Sequence, residues 1–189
     1  MIATENNDTI NQILRSVESI CKKYPDTYWL EMDKSQSYPT EFVKSMTESG
    51  YLNVLIPVEY GGSGLDLYVA AKILEKIHQS GCNAAAAHAQ MYTMGTLLKY
   101  GSEVQKSRWL PLIAKGDIRL QAFGVTEPEA GTDTTSISTS AVRKGDKYIL
   151  NGQKVWTSRA LHSDLMVLLA KTKPKNERQS RSDGLSLFL

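Results

Sequence analysis

The chain has 189 residues, of which 41% are hydrophobic and 22% charged, and its 22 basic and 20 acidic residues give a net charge of +2. This composition is typical of a globular protein and excludes a chain that is disordered throughout. The sequence has neither the basic run of a nucleic-acid surface nor the roughly 18 apolar residues of a membrane span. The first residues resemble neither a signal nor a transit peptide, so we expect a cytoplasmic protein.

The cysteines and histidines do not form a ligand pattern. Cys21 and Cys82 lack CxxC spacing, and we expect them to be reduced, buried thiols. The three histidines, His78, His88 and His162, lie on different predicted elements without HxxxH or HExxH spacing. We therefore predict no metal site.

The first 117 residues carry helical periodicity. Apolar residues from Ile10 to Ile20 predict an amphipathic helix, with Thr9 and Gln12 as its capping box. Further helices are predicted from about 26, 40–49, 66–80, 83–100 and 102–115. Segment 51–57 is expected to be extended. Two segments leave alternatives open: the glycine-rich 59–64 is a tight connection or a phosphate cradle, and the methionine-bearing helix is core or lines an apolar ligand site.

From residue 119 onward the hydrophobic period changes to two. Strands are predicted at 119–125, 136–142, 148–150, 164–171 and 184–189. The pair Asn151-Gly152 favours a type I′ turn into a further strand at 154–156. The sequence therefore predicts an α+β protein with an N-terminal α-helical domain (1–117) and a β domain (118–189). The apolar final strand would be an exposed edge, so we expect further chain downstream.

Segment 124–133, GVTEPEAGTD, follows the helical patterns and opens the strand patterns. Pro128 and Gly131 favour a turn, Thr126 and Thr132 offer hydroxyls, and the turn leaves main-chain N–H groups free for a planar heterocycle or a phosphate. The segment also has three carboxylates, Glu127, Glu129 and Asp133. They argue against a bare phosphate site and should engage in ion pairs or helix caps. A turn that only joins two domains is the alternative.

Four segments, in this order and at matching spacing, resemble the acyl-CoA dehydrogenase family: PVEYGGSGL (57–65), LKYGSEVQK (98–106), VTEPEAGTD (125–133) and NGQKVWTS (151–158). Together they extend over nearly the whole chain. The resemblance implies an N-terminal helical domain and a partial antiparallel β-barrel domain, with the chain truncated or split before the family's C-terminal four-helix bundle.

The resemblance implies a flavoprotein oxidoreductase of fatty acid metabolism that uses FAD to desaturate an acyl-CoA thioester between its α and β carbons, with hydride transfer to flavin N5. Its partners would be the acyl-CoA substrate, an electron-transfer flavoprotein or another electron acceptor, and a second copy or a complementing chain. Three alternatives remain open. They are an acyl-CoA oxidase, a noncatalytic acyl-CoA or flavin-binding module, and an inactive remnant.

The resemblance also implies a set of FAD-binding residues: Phe123, Val125, Thr126, Gly131, Thr132, Trp156, Thr157 and Ser158. In that set Thr126 would hydrogen-bond to the flavin ring, Trp156 would pack against it, and Ser158 would donate near N5, where a donor stabilises the reduced ring. Gly131 and Thr132 would meet the FAD pyrophosphate, and Thr132 would also bind the substrate near its pantetheine.

The catalytic glutamate of the family usually lies in the C-terminal bundle, so we assign no catalytic residue to this chain. Glu127 and Glu129 do not occupy its position. Thr132 stands where Ser is commoner, and residues 157–159 read Thr-Ser-Arg in place of the more frequent Ile-Thr-Asn. These departures leave the identity of the acyl group open.

Overall fold

The computed structural model describes residues 3–189, which form two compact units that divide between Arg119 and Leu120. The first unit contains six α-helices: α1 (Ala3–Cys21), α2 (Asp26–Lys34), α3 (Thr40–Glu48), α4 (Leu67–Gln79), α5 (Ala85–Tyr100) and α6 (Glu103–Lys115). The second contains five strands: β1 (Leu120–Gly124), β2 (Ser140–Lys144), β3 (Lys147–Asn151), β4 (Leu165–Lys171) and β5 (Leu185–Phe188). The predicted fold class, helices followed by a sheet, is confirmed. None of the helices within residues 3–189 is long and apolar enough to cross a membrane.

The ends of α6 follow from local sequence. At its start the Ser102 hydroxyl accepts a hydrogen bond from the Gln105 main-chain N–H (3.2 Å), and the Gln105 side chain accepts one from the Ser102 N–H (2.9 Å). At its end Gly116 takes a left-handed φ of +80°. The capping box predicted at Thr9 is wrong, because α1 already begins at Ala3 and a cap must precede the first turn.

The core of the helical unit is built from one face of each of several helices. Its fully buried side chains include Val17, Phe42, Met46, Ile73 and Ile77. The methionines predicted on α5 are buried as well, and one of them, Met91, belongs to this same cluster. This packing favours the core alternative for that helix, since methionine fills irregular gaps between helices.

The glycine-rich segment forms a tight connection. Val58–Tyr60 is a single 3-10 turn, and Gly61 follows with a φ of +84°. A Cβ added at Gly62 would lie 2.1 Å from the carbonyl oxygen of Ile56, so only glycine fits there. The residues before it, expected to be extended, form successive turns, one of them closed by a hydrogen bond from Ile56 N to Asn53 O (2.9 Å).

The strands lie in the order β1-β4-β2-β3, and β5 pairs with β4. The β2–β3 hairpin, predicted from the sequence, turns at Gly145, which has a φ of +62°. Strands β4 and β5 are also antiparallel, whereas β1 and β4 run parallel, with Phe123 opposite Val167. The sheet is therefore mixed rather than wholly antiparallel. The long connection between β1 and β4 supplies the crossover that parallel strands require.

The turn predicted at Asn151-Gly152 is wrong. Strand β3 ends at Asn151, no strand follows in segment 152–157, and Gly152 does not take the positive φ of a type I′ turn. A Cβ at Gly152 would instead lie 2.3 Å from the Thr139 hydroxyl oxygen. Glycine is required there for close packing, and the chain leaves the sheet edge instead of turning back into it.

Candidate functional site

Segment 124–133 contains a closed turn that directly follows β1. The N–H of Glu127 donates to the carbonyl of Ala130 (3.0 Å), and the N–H of Ala130 donates back to Glu127 O (3.1 Å). The two residues between them, Pro128 and Glu129, are exposed. The predicted turn is thus present. It is anchored at its base and open to solvent at its tip.

The Glu127 carboxylate is the anchor of this turn. It is buried and accepts hydrogen bonds from the Ser138 N–H (2.5 Å) and hydroxyl (2.7 Å), the Thr139 N–H (2.9 Å) and the Lys154 ammonium (2.8 Å). Burial alone would raise the pKa of Glu127, but the hydrogen bonds from Lys154, Thr139 and Ser138 outweigh it and hold the pKa well below its usual range. The carboxylate is therefore ionised at neutral pH, and its hydrogen bonds connect three separate segments.

A second carboxylate, Asp133, closes the other end of the turn. It caps the 3-10 turn Thr134–Ser136 by accepting from the Thr135 N–H (3.1 Å), and it pairs with the Arg181 guanidinium. Hydrogen bonds from the Ser136 and Thr135 hydroxyls lower the pKa of Asp133 to about 2. The expectation that carboxylates here engage in ion pairs and caps is confirmed for Glu127 and Asp133.

Segment 154–158 lies alongside the turn. The Val155 N–H donates to Thr126 O (2.9 Å), and the Lys154 ammonium donates to Val125 O (2.9 Å). The structure therefore brings two separately predicted groups together at one edge, the residues that end β1 and the Trp-Thr-Ser run. Lys154 was not predicted from the sequence. The signal that could have identified it is the carboxylate of Glu127, because a buried carboxylate needs a cationic partner.

Trp156 is the most unusual residue of this edge. Its side chain is 89% exposed, and its main chain holds a φ of +57°, a conformation that is uncommon for residues other than glycine. An indole buries more than a hundred Å² when it packs, so leaving it in water forfeits a large hydrophobic gain. The backbone strain and the exposure together present a flat aromatic face outward.

None of the eight predicted site residues is buried. Four of them are half-buried, namely Phe123, Val125, Thr126 and Thr157, and four are exposed, namely Gly131, Thr132, Trp156 and Ser158. A Cβ added at Gly131 would meet no atom within 4 Å, so the main chain of the turn is open to close approach. Hydroxyls, free main chain and an aromatic face fit a large planar ligand with polar edges and phosphates.

Within the part of the chain that the structure describes, no group of three or more His, Cys, Asp or Glu side chains is placed to hold an ion. Cys21 and Cys82 are buried free thiols, as predicted.

The chain matches two family models, the acyl-CoA dehydrogenase N-terminal domain over residues 7–117 and the acyl-CoA dehydrogenase middle domain over residues 122–189. It is 36% identical over 164 residues to glutaryl-CoA dehydrogenase of Desulfococcus multivorans, covering 84% of this chain and 41% of that protein. It is 35% identical over 192 residues to 3-(aryl)acrylate reductase of Clostridium sporogenes, covering 100% of this chain and 48% of that protein.

Solved structures agree with the sequence relatives. The acyl-CoA dehydrogenase from Geobacillus kaustophilus superimposes with a TM-score of 0.85 at 30% identity, covering 95% of this chain and 47% of that one. The chain thus spans about half the length of the relatives it matches. Since the two family models together extend over nearly all of its residues, the chain belongs to the acyl-CoA dehydrogenase family.

Proposed function

We propose that this chain holds FAD and an acyl-CoA thioester for an oxidoreductase that introduces a double bond between the α and β carbons of the acyl group. Members of the family bind FAD. The observation that carries the proposal is Trp156, whose exposed indole directly follows Val155, the residue whose N–H donates to Thr126 O (2.9 Å) just after β1. A flavin ring packed on this indole would bury the apolar surface that is otherwise left in water.

When bound, the flavin supplies the hydride acceptor that no side chain can provide. The proposed tasks of the protein are binding and orientation. The Thr126 and Ser158 hydroxyls would bind the polar edge of the ring, Trp156 would cover one face and exclude water, and Gly131 and Thr132 would meet the pyrophosphate through open main chain. Thr132 would also contact the pantetheine of the thioester.

We do not propose any carboxylate of the turn as the base that removes the α-proton. Glu127 accepts four hydrogen bonds and is held ionised by them, so it has no free oxygen to present to a substrate. A general base must reach the proton within roughly 3 Å and have a pKa near the working pH. We propose that the base belongs to the C-terminal bundle that the family resemblance implies.

Several finer features remain predictions from the sequence. They are the cytoplasmic location, a role in fatty acid metabolism, an electron-transfer flavoprotein or another acceptor as redox partner, and assembly with a second copy or a complementing chain. The family membership supports the reaction class, and the structure of the acyl group stays open.

The proposal is tested by flavin retention. The purified protein is incubated with FAD, desalted, and its visible absorbance is measured before and after adding an acyl-CoA without oxygen. We expect a retained flavin that is lost in Trp156→Ala and kept in Tyr100→Ala, which removes an exposed aromatic side chain from the helical unit. Equal flavin occupancy in the two variants, or a protein that retains none, would contradict the site.

A further inference from the structure

Arg159 has an unusual backbone conformation close to Trp156. Its φ is +59° and its ψ is +22°, which is the left-handed region, and Trp156 has a φ of +57°. Of the three non-glycine residues with a positive φ in the part of the chain that the structure describes, two therefore lie within four positions of each other. This region is costly for a residue with a Cβ, so its use at a site calls for a reason in the side chain.

Hydrogen bonds fix the main chain of Arg159 to β1. Its carbonyl accepts from the His162 N–H (3.0 Å) and from the Ser163 hydroxyl (2.9 Å). The oxygen of that hydroxyl also accepts from the Gln121 N–H in β1 (3.3 Å). The turn after Trp156 is thus attached to the strand that leads into the proposed flavin surface, which consists of the end of β1 and segment 154–158.

The charge of Arg159 has no partner in the protein. The residue is half-buried, and its guanidinium forms neither an ion pair nor a hydrogen bond with the described residues. Lys154 carries a positive charge in the same segment, but that charge is paired with Glu127. A partly desolvated cation without a counter-charge is unfavourable unless a ligand supplies negative charge.

We infer that Arg159 raises the reduction potential of the bound flavin through its positive charge. The inference rests on the proposed function, because it requires a flavin at this surface. A hydride acceptor gains negative charge when it is reduced, and a nearby cation stabilises that charge. Three residues of chain span at most about 10 Å, so Arg159 acts over a short distance on a ring that packs against Trp156.

Coulomb's law gives the size of the effect. At about 10 Å and an effective dielectric constant of about 20, one unit charge changes the ratio of reduced to oxidised flavin by about 10-fold. For a two-electron couple this ratio corresponds to about 30 mV. Asparagine, which is more frequent in the family at this position, is neutral and enters the left-handed region more readily than arginine. Arginine therefore adds charge here at some cost to the backbone.

The test measures the reduction potential of the flavin-loaded protein without oxygen, against a reference dye of known potential. Arg159→Asn should lower the potential by about 30 mV, because the reduced flavin loses a stabilising charge. Arg159→Lys keeps the charge and should retain most of the wild-type potential. Arg143→Asn removes the same charge from an exposed position of the β2–β3 hairpin and should leave the potential unchanged.

Flavin retention by the wild type is measured first and decides the proposed function. A protein that retains no flavin would contradict the proposed function and the inference together. A retained flavin with the same potential in Arg159→Asn as in Arg143→Asn would overturn the inference alone. An equal decrease in Arg159→Lys and Arg159→Asn would also overturn it, because the effect would then come from the shape of the side chain rather than from its charge.

Discussion

Glu127 and Lys154 form a buried ion pair of 2.8 Å, with the side chains 3% and 9% exposed, across 27 positions of sequence. The pair connects the turn after β1 to the segment that carries Trp156. The Lys154 ammonium also donates to the Val125 carbonyl (2.9 Å), so one side chain joins the two parts of the proposed flavin surface. The geometry of the proposed flavin surface therefore depends on this ion pair.

Breaking this pair on one side should destabilise the protein. Glu127→Gln leaves the buried Lys154 ammonium without its counter-charge, and we expect a loss of about 3–5 kcal/mol in the free energy of unfolding. Lys154→Met should cost a similar amount. The double variant should lose about 1–3 kcal/mol less than the sum of the two, because no charge is left unpaired. Urea denaturation followed by circular dichroism measures all three, and strictly additive losses would show that the pair is not coupled.

The same carboxylate should make stability depend on pH. The folded-state pKa of Glu127 lies below its ordinary value of 4.5, so the unfolded chain takes up this proton first as the pH falls. The contribution is complete above the unfolded value and is lost as the pH drops below it toward the folded value. We expect Glu127→Gln to flatten the pH dependence of unfolding below about 5. The exposed Glu59→Gln is the matched control, and equal slopes in the two variants would refute this origin.

Two glycines should respond to alanine with opposite signs. At Gly62 the new Cβ would lie 2.1 Å from Ile56 O, so Gly62→Ala should destabilise the helical unit by about 1–3 kcal/mol. At Gly95, inside α5, the new Cβ meets nothing within 4 Å, so Gly95→Ala should stabilise it by about 0.5–1 kcal/mol. Thermal unfolding of both variants measures the difference. A stabilised Gly62→Ala would mean that the connection relaxes freely.

The cysteines should be unreactive in the native protein. Cys21 and Cys82 are almost fully buried, and burial together with the neighbouring Cys82 raises the pKa of Cys21 to about 12. A disulfide reagent at pH 8 should therefore modify neither thiol until denaturant is added, when both react. Ser107→Cys, at an exposed position of α6, provides a thiol that should react at once. Rapid loss of a native thiol would show that the helical unit opens readily.

Some elements could be read directly from the chain. The extent of α6 and the hairpin of β2 and β3 both depend on contacts between residues a few positions apart. The change from helical to alternating periodicity after residue 117 is likewise a matter of local spacing. The eight candidate cofactor residues came from the family resemblance, and their roles remain proposed.

Other features could not be predicted from local patterns. The parallel pairing of β1 with β4 joins strands separated by a long connection, and Gly152 proved to be needed for close packing on Thr139 rather than for a turn. A cleft of the β unit that is lined by Lys171, Arg178 and Arg181 could not be predicted, because no sequence pattern distinguishes Lys171 from other lysines at the end of a strand. Only its burial, and the arginines brought near it, make it unusual.

The sequence by itself determined the family, the order of helices and strands, and the turn that begins the proposed site, because these depend on short-range spacing and capping. Only the tertiary structure decided that Glu127 pairs with Lys154 and that Trp156 faces solvent. It also decided that Lys171, Arg178 and Arg181 line one cleft. These are outcomes of burial and of the meeting of charges from distant segments. Their energies depend on surroundings that no single segment specifies.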